Sequence, residues 1–258
     1  MAKWTAFPFD NAGLVYTPAT LKKHWARLHA GDAEPWPKDA AVQQAWIHFH
    51  AGEFQAAFEA GLAAGGAGLT VANKAQAIYA TYLEKKEKTR LEMFMAVAER
   101  AQAQQAANPG QANAWYWQAY ALGRYGQGIS VAKALAQGLG GQIKQALERT
   151  IELAPRHADA HIALGTFHAE VIDKVGRLLG KTQGADAATG LRMFAQALKL
   201  NPGSAIAMIE QANGLVMLEG DKRLKEAEQL YADAAACEPM DAMELLDIEL
   251  ARAELADE

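Results

Sequence analysis

The sequence predicts an all-α fold, a solenoid of stacked helical hairpins, on three observations. Four prolines, Pro109, Pro155, Pro202 and Pro239, each stand between the end of one alanine-rich amphipathic segment and the start of the next. Small residues recur at fixed offsets from them: Ala119, Gly165 and Ala212 beyond, Ala197 and Ala234 before. Large residues recur as well, with Trp115, His161, Met208 and Leu245 beyond and Phe194 and Tyr231 before. Proline lacks an N–H and restricts the residue before it, so it ends one helix, and the polar residues after it cap the next. Small positions let two helices approach closely and large ones fill the remaining space.

Taken in chain order, residues 1–37 read as an extended amino-terminal segment followed by a helix over 18–29. Trp4, Phe7, Phe9 and Tyr16 are expected to pack that segment on a neighbouring helix. Residues 38–239 read as about five helix pairs, near 38–66, 70–109, 111–155, 157–202 and 204–239. The first pair, AAVQQAWIHFHAGEFQAAFEAGLAAG, places Ala45, Gly52, Phe54, Ala57 and Ala64 at matching spacing but has no closing proline. In the third pair, helices over 112–124 and 142–153 are expected to flank a glycine-rich connection, residues 126–141. A second enlarged connection, residues 175–190, falls at the equivalent place in the fourth pair, so stacking puts both on one edge. Residues 240–258 read as a capping helix with an acidic outer side, and that helix is also the candidate contact for a homo-oligomer.

A chain of 258 residues, 51% of them hydrophobic, is long enough to bury an extensive core. Its net charge of -5 argues against a nucleic-acid surface, and the main basic cluster, KKEKTR at Lys85 to Arg90, contains Glu87 and reads as the solvated start of a helix. The single cysteine, Cys237, has no intramolecular partner, which fits a reducing compartment. Pro8, Asp10 and Asn11 interrupt any apolar signal core, and no later segment is long and apolar enough to span a membrane. The expected localisation is cytoplasmic.

Motifs for chemistry are weak. Gly180-Lys181-Thr182 ends like a phosphate-binding loop, but Gly176 lies one residue too near and a helix precedes it where a strand is required. His157, His161 and His168 are spaced so that their rings diverge, which argues against a metal site. His168, Glu170 and Asp173 share one helix with no nucleophile beside them. No catalytic residue, metal ligand or cofactor is expected.

The offsets around the prolines resemble the tetratricopeptide repeat (TPR) family, although intervals of 46, 47 and 37 residues exceed the usual ~34, which implies insertions. The run IKQALERTIELAPRHADAHIALGTFHAEVIDKVGRLLG, followed by LRMFAQALKLNP, makes residues 115–239 similar to the TPR domain of regulator of microtubule dynamics proteins. The TPR resemblance implies a non-enzymatic scaffold that binds a peptide or helix of a partner protein along the inner face of each first helix. Those positions are Asn113, Tyr116, Tyr120 and Arg124 in the third pair. In the fourth they are Asp159, Ile162, Thr166 and Glu170, and in the fifth Ile206, Ile209, Asn213 and Met217. Asn113, Tyr116, Tyr120, Arg124, Thr166, Glu170 and Asn213 are the candidate contacts; Tyr116 and Tyr120 with Arg124 are the aromatic anchors. Asn213 lacks the lysine of a carboxylate clamp, which argues against capture of a peptide carboxy terminus. A second reading has residues 126–141 and 175–190 roofing a pocket for a small apolar ligand.

Overall fold

In a computed structural model, which describes residues 3–256, the chain is helical throughout its ordered elements, with no strand among the described residues. Helix α1 (Pro18–Leu28) is followed by five hairpins. They are α2 (Ala40–His50) with α3 (Phe54–Ala64), α4 (Gly68–Tyr82) with α5 (Glu87–Ala107), and α6 (Ala112–Ile129) with α8 (Leu139–Leu153), the last pair separated by the short α7 (Val131–Ala136). Next come α9 (Ala158–Thr182) with α10 (Ala187–Leu200), α11 (Ala205–Glu219) with α12 (Leu224–Ala235), and finally α13 (Ala242–Ala256). No helix among the described residues is long and apolar enough to cross a membrane.

Local chemistry sets the helix starts. Pro18 opens α1 behind Thr17, which exchanges capping bonds with Thr20. Asp39, Asp186 and Ser204 accept from backbone N–H groups in the first turns of α2, α10 and α11. Each of the four prolines falls just past the end of a helix, at α5, α8, α10 and α12.

The predicted small-to-large contact is found at the fourth pair. Phe194 of α10 is fully buried, and a Cβ on Gly165 of α9 would come within 2.8 Å of its ring. A Cβ on Gly214 of α11 would come within 2.3 Å of the same ring from the other side. Two glycines thus form the slot that the aromatic ring fills. In the third pair Trp115 and Trp117 are both expected in the core; Trp117 is buried there, whereas Trp115 is half-buried at its edge, its indole N–H donated to Pro109 O at 3.0 Å.

The enlarged connections are largely helical. Gly126 and Gly128 do not end α6 but lie inside it, and the chain reverses only at Ser130, with φ 90, whose hydroxyl accepts from Lys133 N. Gly126 leaves room for Ala134 of α7, which a Cβ there would approach to 3.1 Å. Gly138, at φ 76, then turns the chain into α8. The second connection is mostly an extension of α9, bent at Gly176 where φ is 79.

The solenoid does not stay open. The inner helices α2, α4, α6, α9 and α11 touch in sequence, and α13 packs on α11 and returns to α2. Bonds between distant parts of the sequence seal that seam. His50 Nδ1 lies 2.8 Å from Asp241 Oδ2, Arg27 Nη1 donates to Glu244 Oε1 at 2.5 Å, and Tyr16 Oη donates to Met240 O at 2.6 Å. The amino-terminal segment also lies along the hairpins: Trp4 stacks on Tyr79 at 4.3 Å and Phe7 packs edge-on against Phe54.

The glycine slot yields a stability prediction. Gly214→Ala, in spite of alanine's better helix propensity, should lower the unfolding free energy by about 1–3 kcal/mol through overpacking. Adding Phe194→Leu, which removes the clashing ring atoms, should recover part of that loss; urea denaturation of both variants measures it.

Candidate functional site

The interior of the ring is polar at one end and apolar at the other. The polar end is built around residues 29–34, the turn that leaves α1 and enters the ring. Asp32, buried, accepts from Lys74 Nζ of α4 at 2.6 Å and lies 2.8 Å from His29 Nδ1. Asn113 of α6 donates to Asp32 O at 3.0 Å and to Glu34 Oε2 at 2.5 Å. On α9, His157 Nδ1 accepts from Ala160 N, so its proton is on Nε2, which donates to Asn113 Oδ1 at 2.8 Å. Asp159 N donates to Gly31 O at 3.0 Å. One turn of six residues therefore binds α4, α6 and α9 together.

Burial decides the charge states here. Burial would raise the Asp32 carboxyl, but His29 and Lys74 beside it outweigh burial and hold it well below the usual range. Burial pushes Glu34 up to about 8 and Asp159 up to about 7, and the Asp32 charge adds to both. Burial lowers His29 and His157 to about 4 each, so both are neutral near pH 7.

Beyond this cluster the helices line a half-open cavity with an inner space of about 130 Å³, comparable to the ~150 Å³ of an engineered apolar core cavity that takes up benzene. Helices α4, α6, α8, α9, α11 and α13 contribute to its wall, and Val131, Ala134 and Leu135 of α7 cover one side. Ile78, Trp117, Leu147, Ile162 and Phe167 give it an apolar lining. Lys74 and Asp159 stand where the cavity meets the polar cluster. Elsewhere on the wall Arg124 Nη2 reaches Glu210 Oε1 at 3.3 Å, and Thr166 donates to the other oxygen of Glu210 at 3.0 Å. Gln127 donates to Glu170 Oε1 at 2.6 Å, and Tyr82 donates its hydroxyl to Asp247.

Five of the seven candidate contacts meet on this wall: Tyr116, Tyr120, Arg124, Thr166 and Glu170. Asn113 lies behind the closed end with its amide fully engaged. Asn213 lies off the cavity, its Oδ1 accepting from Tyr231 Oη at 2.8 Å. Residues 126–141 cover the cavity through α7, whereas residues 175–190 contribute nothing to its lining. Lys74, Glu210 and Asp247 are wall residues that the sequence did not single out. Glu210 follows Ile206 by one turn, a spacing that could have marked it, but Lys74 and Asp247 carry no such signal. His161 Nδ1 bonds His157 O, and His168 Nδ1 accepts from Asp186 N, so these rings serve local structure. No group of three or more potential metal ligands is gathered among the described residues.

Three comparisons bear on this arrangement. A family model described as regulator of microtubule dynamics protein 1-3 matches residues 69–245. The crystal structure of a thermophilic TPR protein from Thermus thermophilus superposes with a TM-score of 0.58 at 18% identity, covering 83% of this chain and 97% of that one. No curated protein matches the sequence.

The polar end makes stability depend on pH. Folded Glu34 keeps its proton up to about pH 8, whereas unfolded it would titrate near 4.5. The folded state thus holds the extra proton in between, and stability falls as pH rises through that window. His29 and His157 act in the opposite sense, losing stability as pH falls from 6.5 towards 4. Between about pH 6.5 and 8.5 the carboxyls dominate, so Glu34→Gln should flatten the decline of unfolding free energy by roughly 1–2 kcal/mol. Denaturant titrations at the two pH values measure the difference.

Proposed function

The chain belongs to the regulator of microtubule dynamics protein 1-3 family, and we propose that it is a TPR-type binding module, not an enzyme, whose closed ring holds a small and largely apolar molecule. The observation that carries this reading is the cavity itself. TPR-like folds serve as interaction scaffolds by presenting an open concave groove. In this chain α13 and α1 close that groove, and residues 29–34 occupy its other end. The inner space between the helices, about 130 Å³, is comparable to a core cavity that admits a benzene-sized ring. A compact ring or branched chain fits that space and buries its apolar surface against Ile78, Leu147, Ile162 and Phe167. The reading is of a binding site, whose wall is held in place by the Arg124–Glu210 and Tyr82–Asp247 contacts.

A second reading rests on a separate observation. Leu178 and Leu179, beyond the bend at Gly176, are 86% and 61% exposed. Docking of a protein partner, in keeping with the family's description, would use that outer ridge and leave the cavity free.

The lumen reading is tested with 2-phenylethanol as a neutral, compact probe. At ten times its Kd it should stabilise the protein by about 1.4 kcal/mol and raise Tm by roughly 3–5 °C. Ala163→Phe, which fills the cavity from α9, should abolish the shift while leaving the circular dichroism spectrum unchanged. A wild-type protein that shows no shift, or a filled variant that shows the same one, would overturn the reading.

A further inference from the structure

The cavity wall carries more carboxyl groups than cations. Asp159, Glu170, Glu210 and Asp247 line it, against Lys74 and Arg124. Both cations are already committed: Lys74 Nζ bonds Asp32, which lies behind the wall, and Arg124 pairs with Glu210. Arg124 also stacks over the Tyr120 ring at 5.3 Å.

The surplus therefore falls on the acids. Asp247 receives one hydroxyl, from Tyr82, and Glu170 one amide, from Gln127. The Asp159 carboxyl is held against Gly31, where a Cβ would lie 2.4 Å from Oδ1. It makes no side-chain hydrogen bond or ion pair among the described residues, and it stands half-buried on the cavity wall. A carboxyl with no partner on a largely apolar wall is stabilised by a proton or by a cation placed beside it.

We propose that the polar end of the molecule held in the lumen is a protonated amine, received by Asp159 with Asp247 on the facing helix, and that its apolar body lies against the aromatic wall. The proposal rests on the lumen reading above and specifies the chemistry of its occupant. Two further features agree with it. Burial raises Asp159 to about 7 and Asp247 well above its usual value, so a cation arriving beside them favours their ionised forms, and binding next to Asp247 would release its proton. Tyr116, Trp117 and Tyr120 line the same space, and aromatic rings attract a cation placed over them. An anionic ligand would meet Glu170 and Glu210, with the guanidinium of Arg124 already paired to Glu210.

The test compares three probes of similar size by calorimetric titration at pH 7.5: 2-phenylethylamine, 2-phenylethanol and 3-phenylpropionate. The amine is expected to bind at least tenfold more tightly than the alcohol, and the carboxylate more weakly than either. Asp159→Asn should bring the amine to the affinity of the alcohol and leave the alcohol unchanged. An amine no tighter than the alcohol, or a carboxylate that binds best, would overturn the proposal in the wild-type protein alone, without recourse to a variant. If the alcohol binds in that case, the lumen reading survives; if none of the three binds, both fall.

Discussion

The interior depends on one buried cation. Lys74 is 2% exposed, and its ammonium meets Asp32 in a space where neither charge has water. Desolvating both groups costs several kcal/mol each, and only their close contact and added hydrogen bonds offset it. Asp32 obtains these from His29 and from the backbone N–H of Glu34. Lys74 gains from the faces of Trp46 and Phe49, at 5.6 and 5.1 Å. The pair therefore specifies position more than it adds stability: it fixes the turn 29–34 against α4. Asn113 and His157 then fix the same turn against α6 and α9.

From that anchor follows the closure of the ring. With the amino-terminal turn held on the axis, α1 lies across the start of the solenoid, where Arg27 and Tyr16 can reach Glu244 and Met240 at the far end of the chain. Contacts in an ordinary stack of hairpins are between neighbours in sequence. Here, bonds such as Tyr16 to Met240 and His50 to Asp241 join residues about two hundred positions apart. The same closure changes what the inner face can do. Side chains that would face solvent in an open groove, Tyr116 and Asp159 among them, instead line a small half-open space between packed helices, where desolvation shifts their protonation.

The hairpins are legible in the sequence because each rests on local rules. Proline stops a helix wherever it stands, and the close approach of Gly165 to Phe194 follows from the size of the residues at repeating offsets, whereas Gly214, on the ring's other side, stands off that pattern. The family resemblance, expected over residues 115–239, extends in the match to residues 69–245. The connection after Tyr125 departs from expectation for a physical reason: glycine inside α6 does not terminate the helix but serves as clearance for α7. The candidate contacts Tyr116, Tyr120, Arg124, Thr166 and Glu170 share a wall because they follow helical spacing on inner faces. The remaining wall and plug residues are silent. Asp32 and Glu34 lie in the linker GDAEPWP, which has no periodicity to read, and Asp247 sits on a helix whose acidic residues suggest contact with solvent. Their roles arise from the ring, which is a property of the whole chain and leaves no local trace.

A closed ring also constrains how such a protein can diverge. Open solenoids lengthen or shorten by whole hairpins, since each unit only has to match its neighbours. In this chain the angular increments of the stacked pairs must sum so that Asp241 arrives opposite His50. Gain or loss of a single pair would carry that carboxylate past its imidazole and leave both buried without a partner. Unit number is therefore fixed by geometry, and variation is confined to features that leave the circuit intact, such as the protruding end of α9 beyond Gly176.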